Sequence, residues 1–280
     1  MGRRLLFALA CAAALLAAPS SALALRQMVW WQTPPANGAI EGYADAVSAF
    51  PGDDVALRVN VPSGDNYRIR VFRLDASAND ATRVECGDPC HVIHAGTPQP
   101  ASVIDPLTNE IRAPWSVTDT LHVGEDWPSG YYVIQFVLKS GPQFNATAWT
   151  PLIVKRAPDA PPAPIVMEIP ISTAAAYNEW GGLSAYSGGP WSDVVSLDRP
   201  FRNGLLGGEY PLLRFLEANG FQVDYQTDLD TAADPGSLLE HRVAVVGGHD
   251  EYWTQATSDA WYAAKKAGVN LVFWGANIGY

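Results

Sequence analysis

The chain reads as a multidomain protein, an antiparallel β-sandwich followed by an α/β domain that stops short at its C-terminus. Three observations predict this. Residues 25–156 hold runs of alternating apolar and polar residues separated by Gly/Pro turns. APDAPPAP, residues 157–164, packs four prolines into eight residues, the composition of a stiff, extended linker. Residues 165–280 switch to short apolar runs alternating with amphipathic segments, the rhythm of a parallel sheet with crossover helices.

The first element is not part of the fold. Arg3 and Arg4 precede an apolar stretch, Leu5 to Ala18, and Ser21-Ala22-Leu23-Ala24 ends in a small-residue cleavage pattern. Residues 1–24 therefore read as a signal peptide cut after Ala24, which predicts a secreted or periplasmic protein. The apolar run is shorter than the ~20 residues a membrane span needs, and no later segment is a better candidate, so no membrane partner is expected. Loss of Arg3 and Arg4 takes the net charge from −11 to about −13, a poor match for nucleic acid or anionic lipid.

DVALRVNV (54–61) and YRIRVFRL (67–74) alternate strictly and flank PSGDN, a turn sequence. YYVIQFVL (131–138) and AWTPLIVK (148–155) are two further strands. Strands at this spacing predict a sandwich. Cys86 and Cys90 enclose a Gly-Asp-Pro turn, and in an exported protein the pair reads as a small disulfide loop rather than a metal pair. Asn145-Ala146-Thr147 matches the glycosylation triplet, a match short enough to arise by chance.

Beyond the linker, IVMEIP (165–170) is a short buried strand. EYPLLRFLEANG (209–220) has helical spacing and a glycine stop, and FQVDY (221–225) is strand-like. PGSLLEHR (235–242) predicts a short helix capped by Asp234 with Pro235 at its first position. RVAVVGG (242–248) is a strand, residues 254–268 a helix and VNLVFWG (269–275) a last strand. Only three clear βα units are expected, fewer than such domains usually hold, which suggests an incomplete C-terminus.

In open parallel sheets ligands sit beyond the carboxyl ends of the strands. The polar stretches YNEWGGLSAY (177–186), HDEY (249–252) and GANIGY (275–280) each follow a predicted strand. One sheet edge is thus expected to gather Tyr177, Asn178, Tyr186, His249, Glu251 and Asn277. The set is rich in hard oxygen donors and lacks a thiol. A phenol ionises near pH 10, so a tyrosinate ligand needs a strong Lewis acid such as trivalent iron, whereas zinc would recruit more His or Cys. His249 and Glu251 point the same way if the backbone stays extended. Each residue also has a plainer reading. Glu251 could sit solvated in the first turn of the 254–268 helix, His249 could be a loop histidine, and Tyr177 and Tyr186 could be core aromatics. Asp250 reads as a helix cap or an exposed charge. No phosphate-loop glycine pattern and no GxSxG elbow occurs.

AYNEWGGLSAY, DRPF, EYPLLRFLEANGFQVDYQTDLD, HRVAVVGGHDEYW and AGVNLVFWGANIGY, taken together, resemble the N,N-dimethylformamidase large (beta) subunit-like family over residues 165–280. IEGYADAVSAFPGDDVALRV (40–59) and WPSGYYVIQFVL (127–138) are similar to its upstream β domain. The resemblance implies a class I glutamine-amidotransferase-like α/β fold without the nucleophilic cysteine. It implies a mononuclear, ferric iron on Tyr177, Tyr186 and Glu251, with the loop between the tyrosines shorter here. His249 and Asn277 match positions beside the iron that take part in catalysis. The implied reaction is hydrolysis of a C–N amide bond in a small molecule, with a partner subunit or a homo-oligomer expected. The family's acid/base carboxylate would lie downstream of Tyr280.

Two rivals remain. In one, a non-enzymatic carbohydrate- or surface-binding protein uses Trp30, Trp31, Trp115 or Trp127 and the α/β domain is passive. The other, a glycoside hydrolase on Asp250 and Glu251, rests only on two adjacent carboxylates.

Overall fold

The computed structural model describes residues 38–186, 189–202 and 208–280. The expected signal peptide, 1–24, and Trp30 and Trp31 lie outside those residues. The described chain is rich in β structure and builds several sheets.

The first sheet has three strands in the order β1-β3-β8: β1 (Glu41–Ala44), β3 (Asp54–Asn60) and β8 (Asp119–His122). The second has five, in the order β2-β10-β9-β4-β5: β2 (Ser48–Ala49), β10 (Thr147–Val154), β9 (Gly130–Leu138), β4 (Tyr67–Leu74) and β5 (Ala81–Val84). All pairings in these two sheets are antiparallel except β2 with β10, which is parallel. A two-stranded ribbon joins β6 (Val103–Ile104) to β7 (Ile111–Arg112). β3 and β4 alternate as their sequences predict, burying Val55, Leu57 and Val59, then Tyr67, Ile69 and Val71. These side chains pack with Tyr132, Ile134, Phe136 and Leu138 of β9 in the core between the two sheets.

The opposite face of β9 is buried too, so its nine residues are all inaccessible. Tyr131 and Val133, with Trp149 and Ile153 of β10, pack against a third sheet. That is why YYVIQFVL is a continuous apolar run rather than an alternating one.

The third sheet has four parallel strands in the order β12-β11-β13-β14: β11 (Ile165–Ile169), β12 (Val223–Thr227), β13 (Val243–His249) and β14 (Asn270–Ala276). Helices lie between them: α2 (Ile171–Ala176) and α3 (Glu209–Ala218) before β12, α4 (Asp228–Ala233) before β13, and α5 (Gln255–Ala267) before β14. Side chains alternate between the faces. Ile165, Met167, Ile169 and Val245 meet α3 and the five-stranded sheet. Val166, Ala244 and Val246 meet Ala260, Trp261 and Ala264 of α5. The Pro-rich segment does not separate two independent cores, because the five-stranded and the parallel sheet share one. Arg156 fastens the segment by donating to Ala157 O and pairing with Asp224 and Glu240.

One predicted helix is misplaced. Residues 235–242 hold only a 3-10 turn over Ser237–Glu240, and Asp234 ends a helix rather than starting one. The helix, α4, begins directly at the end of β12, where Thr227 and Asp230 form a capping box. The reciprocal bonds satisfy two end N–H groups at once, which outweighs a proline at a first helical position. Cys86 and Cys90 are disulfide-bonded beside α1 (Asp88–His91).

Candidate functional site

The strand order of the parallel sheet places a reversal between β11 and β13: the chain leaves β11 outward to β12 and then crosses back to β13. In open α/β sheets such a reversal, beyond the carboxyl ends of the two strands, is where ligands bind. Both strands feed it. β11 runs into α2, whose first N–H groups, Ile171 and Ser172, donate to the buried Asp228 carboxylate. α2 has run out by Tyr177, which caps its C-terminus. β13 ends in Gly247-Gly248-His249. Gly248 has φ +80 and lies so close to Gly208 and Gly275 that a Cβ on either would meet its backbone within 2.3 Å. Only glycines permit this approach, and it turns the chain so that residues 249–251 face α2.

Tyr177 Oη donates to Glu251 Oε2 at 2.6 Å. His249 Nε2 stands 3.2 Å from the same oxygen and 3.3 Å from Asn277 Nδ2. The Tyr186 ring lies on Tyr177, with centroids 4.4 Å apart. His249 and Tyr252 flank Tyr177 at 5.2 and 6.2 Å. Five of the six residues expected at this edge, Tyr177, Tyr186, His249, Glu251 and Asn277, thus meet at one place. Glu251 is buried and Tyr186 and Asn277 are exposed, so the cluster forms a floor with an open rim. Asn178 stands slightly apart: it is buried, donates to Pro200 O, and accepts from the Trp180 and Arg202 N–H groups.

Burial raises the Tyr177 phenol pKa, and the hydrogen bond that the phenol donates to Glu251, together with its contact with Tyr186, raises it further. Tyr252 moves the same way through burial and the Glu251 charge. The phenol proton is therefore held firmly between Tyr177 and Glu251.

Two sequence readings need correction. Asp250 is neither a cap nor an exposed charge. It is fully buried, accepts from the Trp253 indole at 2.6 Å, and leaves the capping of α5 to Thr254. Glu251 is not in the first turn of that helix, which starts at Gln255. Asp250 belongs to a second layer of carboxyl groups beneath the site. Glu168 of β11 is fully buried and accepts from Thr231 and from the Trp261 indole. Burial raises both carboxyls, Asp250 to about 7. Asp250 Oδ1 has no donor unless one of the pair carries a proton. Glu209, at the start of α3, lies under Gly248 and His249 and is pushed up to about 8 by burial. The sequence reading passed over Glu168, although a carboxylate inside the apolar run IVMEIP signals a paired buried charge.

Among the described residues no group of three or more His, Cys, Asp or Glu side chains could hold a metal ion. An oxygen set with phenols is a separate case. Two cis oxygens each ~2.0 Å from one ion stand about 2.8 Å apart, close to the 2.6 Å between Tyr177 and Glu251. A phenol–carboxylate pair bridged by one proton, with a second phenol alongside, fits a hard cation that takes the proton's place.

Of the four tryptophans expected to form a binding surface, Trp115 and Trp127 are each only 6% exposed and present no free ring face.

The family model described as "N,N-dimethylformamidase beta subunit-like, C-terminal" matches residues 68–280, well over half the chain. No curated protein matches significantly. Among solved structures, domain 1 of VCBP3 from Branchiostoma floridae is 10% identical with a TM-score of 0.25, covering 44% of this chain and 98% of that one. Murine CEACAM1b is 13% identical with a TM-score of 0.21, covering 46% and 62%. TM-scores this low establish no shared fold.

Proposed function

The chain belongs to the N,N-dimethylformamidase beta subunit-like family, and on that premise we propose that it hydrolyses a C–N amide bond in a small molecule. The observation that carries this reading is the meeting of Tyr177, Glu251 and Tyr186 at the switch point, with His249 and Asn277 beside them.

In this reading Tyr177, Tyr186 and Glu251 would hold one ferric iron, and when bound it would supply Lewis acidity for amide hydrolysis. A trivalent ion is favoured because the Tyr177 phenol gives up its proton only to a strong Lewis acid. The side chains around it do the rest. His249 Nε2 lies between the Glu251 carboxylate and the Asn277 amide. It is placed to hold a proton at Nε2 and to pass it to a group entering the crevice. Asn277, with φ +55, is held in the left-handed region that aims its amide at His249. The Tyr186 and Tyr252 rings narrow the approach and limit water. The strand order with its central reversal supports a glutamine-amidotransferase-like α/β domain. An exported location follows from residues 1–24 as a signal peptide, and the family name supports a partner subunit.

The test is iron content together with a visible spectrum on the purified, folded protein. We expect about one iron per chain and a tyrosinate charge-transfer band. Both are lost in Tyr177→Phe and Glu251→Ala. Failure of the folded wild-type protein to take up iron, or a band that survives both substitutions, refutes the ligand set.

A further inference from the structure

The two tyrosines of the site sit on a segment with little structure of its own. α2 has ended by Ala176, and a single 3-10 turn, Trp180–Gly182, is the only regular element before Tyr186. Ligating groups must be held to within about half an ångström by what supports them. One buried side chain binds this segment at three of its carbonyls.

Arg199, from the DRPF stretch, is 1% exposed and makes no hydrogen bond to a carboxylate among the described residues. Its fork reaches four main-chain carbonyls: Nη2 donates to Ala175 O at 3.2 Å, and Nη1 to Trp180 O at 3.3 Å and Leu183 O at 3.1 Å. Nε donates to Ser196 O at 3.3 Å. Ala175 lies two residues before Tyr177, and Leu183 three before Tyr186. An isolated buried cation is costly, and burial draws the Arg199 pKa down to about 10. Removing the guanidinium would strip one donor from each of these four carbonyls. Two neighbours reinforce the arrangement. Asn178 bonds the same segment to Pro200 and Arg202. Trp180 anchors it to the sandwich through Glu41, at 2.9 Å, and an edge contact with Trp115.

We propose that Arg199 is the positioning residue that sets the spacing of Tyr177 and Tyr186, acting through the main chain of residues 175–183 and touching no substrate. This rests on the reading that the two phenols form the working site. Lysine cannot replace it, because an ammonium on a flexible stem does not present donors to four carbonyls in one plane.

The experiment compares wild type, Arg199→Lys, Arg199→Met and, as a matched core lesion far from the site, Leu57→Ala. Amide exchange is followed by mass spectrometry, and the visible band is normalised to bound iron. In both Arg199 variants the peptide spanning residues 175–186 is expected to exchange about tenfold faster or more, with β9 still protected. Their band per bound iron shifts or falls, whereas Leu57→Ala lowers stability without moving it. Unchanged exchange of residues 175–186 in folded Arg199→Met and Arg199→Lys overturns the proposal. So does loss of β9 protection in both variants, since a clamp confined to one segment leaves the sandwich folded. If wild type binds no iron the metal reading fails, and the exchange result alone still decides the role of Arg199.

Discussion

Replacing Glu209 by glutamine tests the electrostatics beneath the site. Glu209 is 5% exposed and its Oε2 has no hydrogen-bond partner. Burial holds its pKa at about 8 against an ordinary 4.5, despite main-chain N–H groups of Gly208, Glu209 and His249 that favour the anion. The folded state thus binds this proton more tightly than the unfolded chain. The resulting stability is full below the unfolded value of 4.5 and is lost as pH rises towards about 8. At about 1.4 kcal/mol per pH unit the loss reaches at most about 5 kcal/mol. Relaxation around the new charge reduces it, so we expect about 2–5 kcal/mol. Glutamine keeps an oxygen for the main-chain donors and cannot ionise, but it buries an unpaired NH2 costing about 1–3 kcal/mol. The wild type is therefore the more stable protein near pH 5, and the order closes or reverses by about pH 9. Urea unfolding followed by tryptophan fluorescence at several pH values measures this directly. A difference between the two proteins that stays constant across the range, within about 0.5 kcal/mol, refutes a buried, proton-holding Glu209.

Trp149→Ala should cost about 3–5 kcal/mol, because the ring is 1% exposed and fills the core shared by the five-stranded and parallel sheets. Sandwich and parallel sheet should still melt together in calorimetry, and two separated transitions in the wild type would contradict a shared core. Reducing Cys86–Cys90, or replacing both by serine, should cost about 2 kcal/mol, the loop-closure value for so short a ring. Denaturant unfolding with and without reductant measures it, and equal stability would show that the bond constrains nothing.

Much of the architecture is legible in local pattern. DVALRVNV and YRIRVFRL alternate because one side of each strand meets the sandwich core. EYPLLRFLEANG shows its apolar stripe and its glycine stop, and Gly220 has φ +75. The start of α4 is hidden in the sequence because its signal, Thr227 with Asp230, sits inside what reads as strand and turn, while Pro235 imitates a helix start. The burial of Asp250 is hidden for a related reason. A polar residue after a strand is normally solvated, and only its neighbours in space, Glu168 and Trp253, make it a buried group.

The candidate site divides the same way. Its residue types, and their position after strands, are properties of the sequence. Their meeting is not. Tyr177 and Glu251 are 74 positions apart and touch because β11 and β13 are neighbours in the sheet, with β12 turned to the outer side. Strand order is decided by which faces bury which apolar surface across the whole chain, and no local period encodes it. Arg199 is a still clearer case. In the sequence it is one of many charged residues, and it becomes a support only where four carbonyls from separate turns converge on its fork. The sequence by itself determined the elements and the chemistry available at their ends. The tertiary structure decided which of those ends share a crevice and what holds them there, because burial and hydrogen-bond satisfaction are settled between residues distant in the chain.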